Sequence, residues 1–289
     1  FVALAVALLC TGLSGEDSSA ESSGYFKYDI NPSGTATITG CSSGHDADLV
    51  IPEQLDGHIV VEIDEKAFMW DQNLNSLVVP NTVTYIGKEA FAFCRNLKSV
   101  TIYSNGSKIA DFAFDCCEGL KTAYLENGVH LESHVFSRCM SLENVRLPSM
   151  ITEIPEDTFV GCCSLTSIDI PSSVTRIEDH AFHGTGLKTV SIHDGITYIG
   201  EEAFFHTNLE SVWIPDSVTT IGAGAFYQCS NLKSVRLPQG LTELSDKLFC
   251  GSALTSIDIP DSVVRIGRSS LSSQYLTTVN IPDGVVIID

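Results

Sequence analysis

The apolar positions of this chain follow two periods at once, a short one of two residues and a long one of 22–23. The short period appears in runs such as Leu97-x-x-Val100-x-Ile102 and Leu254-x-x-Ile257-x-Ile259. Side chains two apart on a strand share a face, so these runs predict strands whose Val and Ile point inward and whose intervening residue points out. The long period is clearest at an aromatic anchor. It falls at Phe68, Phe91, Phe114, Phe136, Phe159, Phe182, Phe204, Phe226 and Phe249, with Leu271 in the same place in the last copy. So even a spacing over ten copies predicts a solenoid, in which each coil buries its apolar face only against its neighbours.

Between strand and anchor come two backbone signals. Eight of the ten prolines, Pro80 and Pro171 among them, stand directly after the strand, where a missing N–H interrupts no ladder. The pairs Ile86-Gly87, Ile199-Gly200 and Ile221-Gly222 predict a tight corner at which glycine supplies a positive φ. The x-x-Ala-Phe stretch that follows has room for one short helical turn. The expected architecture is a repeat solenoid with a parallel strand ladder on one face and short helical or 3₁₀ turns on the other. Its coils should rise by about 4.8 Å, the spacing of paired strands.

The composite pattern Ile-Pro-x-x-Val-x-x-Ile-Gly-x-x-Ala-Phe-x-x-Cys-x-x-Leu-x-x-Val resembles the BspA-like class of leucine-rich repeats, over roughly 61–289. The resemblance implies a leucine-rich-repeat fold of the kind found in surface and secreted proteins of bacteria and some mucosal protists. It also implies extracellular proteins, other cells or glycans as partners. The copies at 103–125 and 126–147 depart from the pattern, because Tyr103 and Glu126 replace proline and neither copy has Ile-Gly.

The ends read differently. Residues 1–15 are apolar and then small, as in the later part of a secretory signal peptide, too short for a transmembrane helix. No Met or basic segment precedes them, so this leader is expected to be truncated; a lipoprotein reading would acylate Cys10. Residues 16–24 are polar and small, a flexible linker. Residues 25–60 hold two strand-like runs around Asn31-Pro32-Ser33-Gly34 and read as an N-terminal hairpin cap, which an open solenoid end requires. The chain stops at Asp289 halfway through a coil, so the natural protein is expected to continue. Asn105-Gly106-Ser107 would be an N-glycosylation sequon in a eukaryotic source.

Composition narrows the partners. The net charge of −20 is spread over the repeats, which argues against nucleic acid and against an anionic membrane surface. Ten cysteines in a secreted chain suggest disulfides, but Cys94, Cys117, Cys139, Cys162 and Cys229 all stand three residues after the anchor. Thr185, Thr207 and Ser252 fill the same slot, so the slot reads as small and semi-buried and its cysteines as free thiols. Bridges between adjacent coils remain geometrically open.

Chemistry is sparse. No Gly-x-Ser-x-Gly motif or Cys–His arrangement stands out, so no catalytic residues and no cofactor are expected. His130 and His134 are four apart but not on a helix, and His180, His183 and His206 read as surface residues near adjacent turns, so no metal site is assigned. The informative feature is the outward strand column: Val78, Thr101, Tyr124, Arg146, Asp169, Ser191, Trp213, Arg236, Asp258 and Asn280. Two residues earlier, the column is nearly all Ser and Thr. Aromatic and Arg side chains anchor interfaces, so Tyr124, Arg146, Trp213 and Arg236, with Asp169 and Asp258, are the candidate binding residues. The expectation is a non-catalytic, secreted or surface-displayed module that adheres to an extracellular protein or glycan. The alternative is a spacer or targeting module of a larger secreted enzyme.

Overall fold

The computed structural model describes residues 21–103 and 106–289; the leader, most of the linker and Asn105 of the sequon lie outside the described residues. The coils stack as a solenoid, but most bring two strands, not one. The first ladder is the one foreseen, a parallel sheet of Asp48–Val50, Ser76–Val79, Ser99–Ile102, Thr122–Leu125 and Asn144–Arg146. It resumes as Ser211–Trp213 beside Ser234–Arg236, then as the single bridge Asp258–Asn280. The runs around Asp169 and Ser191 do not form strands.

The second ladder lies past the proline corner and was not foreseen. It stacks two-residue strands in parallel: Tyr85–Ile86, Lys108–Ile109 and His130–Leu131, then Glu153–Ile154 through Thr220–Ile221, then Glu243–Leu244 through Ile287–Ile288. Each of these strands offers one inward Ile or Leu and one outward residue.

The third side corrects the expected helical or 3₁₀ turns: the described residues contain no helix. Backbone donors there alternate between two targets. The N–H groups of Lys66, Phe68 and Trp70 reach across to the carbonyls of Lys88, Ala90 and Ala92 in the next coil at 3.0, 2.8 and 2.9 Å. Those of Ala67 and Met69 close local turns on Asp64 and Lys66. The same set recurs from Glu89, Phe91 and Phe93 to Asp111, Ala113 and Asp115. To aim its amides this way the chain turns left-handed two residues before and two after the anchor, as at Glu89 (φ 56) and Phe93 (φ 63). Each such non-glycine residue costs about 1–2 kcal/mol. Gly161, Gly184, Gly224 and Gly251 occupy some of these places.

The Ile-Gly glycines serve a different need from the one expected. Gly87, Gly200, Gly222 and Gly267 do not have a positive φ. A Cβ on Gly87 would sit 2.5 Å from the backbone N of Glu65 and 2.6 Å from the carbonyl carbon of Asp64. The glycine is required by the backbone of the preceding coil, which passes too close for a side chain.

Inside the triangle the anchors form one continuous stack. From Phe68 to Phe249 successive ring centroids lie 4.9–5.9 Å apart with interplanar angles of 4–17°. Beside them runs the cysteine slot. The thiols of Cys94, Cys117, Cys139, Cys162 and Cys229 each reach the carbonyl oxygen of the anchor in the preceding coil, at 3.0–3.2 Å. All nine described cysteines are free.

The cap closes the start of both ladders. Phe26–Ile30 pairs antiparallel with Ala36–Cys41, whose other edge pairs in parallel with His58–Ile63 and so seeds the second ladder. Glu21–Ser23, expected in the linker, adds an outer strand to this hairpin. Buried Tyr28 places its hydroxyl 2.9 Å from Glu21 and 2.8 Å from Asp56. Asp71 takes the slot that cysteine fills in later coils and accepts His45 Nε2 at 2.6 Å, so the thiol column begins at a polar pair from the cap.

Two outcomes follow from this packing. Gly87→Ala should lower the urea midpoint, by about 1–3 kcal/mol of overpacking, whereas Gly240→Ala, with nothing within 4 Å of the added Cβ, should leave it unchanged. Burial pushes the thiols of Cys117, Cys139 and Cys162 up and holds Cys229 at about 11. In native protein, therefore, a thiol reagent should label exposed Cys163 quickly and the slot cysteines only after denaturant is added.

Candidate interaction face

The outward column of the first ladder places residues 22–23 apart in sequence on neighbouring rungs. In register, Tyr124 lies opposite Arg146 and Trp213 opposite Arg236. Strand spacing is also a stacking distance, and both pairs stack. The Arg146 guanidinium lies 4.7 Å from the Tyr124 ring centroid, and Nη1 donates to the tyrosine hydroxyl at 2.9 Å. The Arg236 guanidinium lies 4.9 Å from the Trp213 ring centroid. Such contacts contribute about 0.5–1 kcal/mol at exposed sites, which offsets part of the about 1.5–2 kcal/mol that ordering an arginine costs.

Arg236 is held further. It donates from Nη1 to the Ile214 carbonyl at 2.9 Å and from Nη2 to Asp216 at 2.8 Å. The hydrogen bond from Arg236, together with the Gln239 amide, keeps the Asp216 carboxyl below its ordinary range. Trp213 stays 66 % exposed even with the Arg236 guanidinium over its ring. Asp169 is exposed in a coil without strand pairing, and Asp258 bridges Asn280. The six sequence candidates thus resolve into two ordered pairs and two acids lying apart. The pairs are four rungs apart from Tyr124 to Trp213, about 19 Å at strand spacing.

The second ladder presents an outward column that sequence reasoning missed: Tyr85, Lys108, His130, Glu153, Arg176, Tyr198, Thr220, Glu243 and Arg265. Arg176 stacks 3.9 Å from the Tyr198 ring centroid and pairs with Glu178 at 2.5 Å. The signal was a variable residue just before each recurring Ile or Leu, in a strand too short to alternate. The turn side carries its own columns. His130 lies in the second ladder and His134 on the turn side, whereas donor atoms of His180, His183 and Glu202 gather within 4.8 Å of one another.

Comparison with known proteins agrees with this geometry. The profile of the BspA type leucine rich repeat region matches in six copies, over 61–188 and 197–289. No curated protein matches the sequence. Among solved structures, a leucine rich cell surface protein of Faecalibacterium prausnitzii is 28% identical with a TM-score of 0.60, covering 93% of this chain and 90% of its own. The pneumococcal vaccine antigen PcpA has a TM-score of 0.66 at 19% identity over 93% of this chain and 84% of its own, a likeness of fold. A leucine-rich repeat protein of Bacteroides ovatus has a TM-score of 0.54 at 22% identity over 93% and 90% of the two chains, again a likeness of fold. Among the described residues no helix is long and apolar enough to cross a membrane. With the repeat profile matched over most of its length and the stacked coils to fit it, this chain belongs to the BspA-type leucine-rich-repeat family.

Proposed function

We propose that this chain is a non-catalytic binding module, secreted or displayed at a cell surface, whose first-ladder face adheres to an extracellular protein or glycan. The observation that carries this reading is the pair of ordered aromatic–Arg stacks on an otherwise small, hydroxyl-rich sheet. Exposed Trp, Tyr and Arg supply large contact area at little entropic cost when they are already held, and here both arginines are held by their neighbours. Asp169 and Asp258 add acidic points at either side of the Trp213 pair for a partner with basic or hydroxyl groups. The cell-surface description of the Faecalibacterium relative supports the same placement.

The test uses two arrays, one of extracellular-matrix proteins and one of glycans, probed with labelled protein. Trp213→Ala combined with Arg236→Ala should weaken any array ligand's binding at least about tenfold, the loss of one hot spot, with thermal unfolding nearly unchanged. Arg176→Ala with Tyr198→Ala, on the second ladder, should leave binding intact. A ligand that binds the double variant as well as the parent overturns the assignment. The preorganisation has its own readout. In Arg236→Ala the Asp216 carboxyl should move up toward its ordinary range in an NMR pH titration, because the donor that holds it down is gone.

A further inference from the structure

On the turn side, the position two residues before the anchor reads His134, Asp157, His180 and Glu202 on four successive coils. Imidazole and carboxylate alternate along it. His134 Nε2 lies 3.0 Å from Asp157 Oδ2, His180 Nδ1 lies 3.9 Å from the same oxygen, and His180 Nε2 lies 3.9 Å from Glu202 Oε2. His183, one residue after its anchor, turns toward the same carboxylate with Nδ1 at 3.5 Å. That nitrogen is buried and has no hydrogen-bond partner, although the acid is beside it. An orphaned imidazole nitrogen facing a second imidazole and a carboxylate is the arrangement a metal ion would complete.

We propose that His180, His183 and Glu202 form a binding site for one divalent transition-metal ion of the zinc class. In a tetrahedral zinc site with bonds of about 2.0–2.1 Å, the ligand atoms stand about 3.4 Å apart. The 3.5 and 3.9 Å separations therefore need only small side-chain rotations. The backbone supporting them is fixed from the neighbouring coil: the His180 amide donates to Glu201 at 2.8 Å and the Glu202 amide to Ala223 at 2.9 Å. His183 packs on Phe205 at 4.3 Å, and the two imidazoles, tilted by 54°, bring their ligand nitrogens within 4.8 Å of each other.

An outer-shell carboxylate stands close by as well. With Nε2 on the metal, His180 directs Nδ1 toward Asp157, which His134 holds from the far side. At 3.9 Å the contact is longer than a hydrogen bond; closing it on metal binding would complete the carboxylate–histidine–metal relay that orients a ligating ring and raises its donor strength. Gly224 occupies the next coil of the column, where a Cβ would meet Glu202 Cγ at 3.3 Å, so its lack of a side chain leaves that carboxylate unhindered by its own column, and a water molecule would take the fourth position. Glu156, Asp157 and His180 form an overlapping group, but it offers a single imidazole and suits a harder ion less well discriminated from solvent.

The experiment is calorimetric titration of the protein with zinc chloride, on a Cys163→Ser background so that the exposed thiol does not compete. One saturable equivalent is expected, and cobalt chloride should give the visible absorption of a low-coordinate histidine site that zinc abolishes. His183→Ala and Glu202→Gln should each weaken binding at least about tenfold, and Asp157→Asn about tenfold through the outer shell. Glu156→Gln and His130→Ala should leave it unchanged. Circular dichroism checks that each metal-free variant is folded. Absence of saturable binding overturns the proposal, as does binding that survives His183→Ala and Glu202→Gln or is lost in Glu156→Gln.

Discussion

The rise from one coil to the next governs this molecule. Backbone hydrogen bonds run between coils on all three sides, so every segment must lie nearly flat within a layer about 4.8 Å thick. An α-helix with its side chains is about 10–12 Å across and does not fit such a layer. The chain therefore crosses the turn side as a zigzag with left-handed residues around each Phe, and accepts their conformational cost. The inter-coil amide bonds and the stack of nine buried phenylalanines offset it. The same thin layer explains why a Cβ at Gly87 would collide with the coil beneath, and why the slot beside each anchor from Phe91 to Phe249 holds a small Cys, Thr or Ser.

A fixed rise also turns sequence periodicity into contact. Residues 22–23 apart become neighbours at a distance suited to ring stacking and to ion pairing. Tyr124 and Arg146, or Trp213 and Arg236, meet for that reason, as do His180 and Glu202 on the turn side. Each outward column behaves as a line of side chains whose local chemistry varies while the scaffold beneath it repeats. The two ladders and the turn side then give three independent surfaces, of which the first ladder carries the most exposed aromatic.

Much of the architecture was legible in the chain. The Phe anchors, the inward Val and Ile, the prolines after the outward column and the shared cysteine slot follow from aligning copies, and the structure stacks each as a column, although the runs around Asp169 and Ser191 form no strand. The second ladder was not legible, because strands such as Tyr85–Ile86 are too short for a period of two to show. The x-x-Ala-Phe stretch fits a helical turn or a chain of tight turns equally well when one copy is read alone. The histidines were judged by their spacing along the chain. His134, Asp157, His180 and Glu202 stand out only when the column before the anchor is read down the coils.

The sequence by itself determined which residues share a column, since a constant period relates every copy to the next by one repeated step. The tertiary structure alone decided what the backbone does between the columns: which amides leave their own coil, which residues turn left-handed, and which glycines face a neighbour's chain. These depend on the distance between coils, and that distance exists only once the coils are stacked.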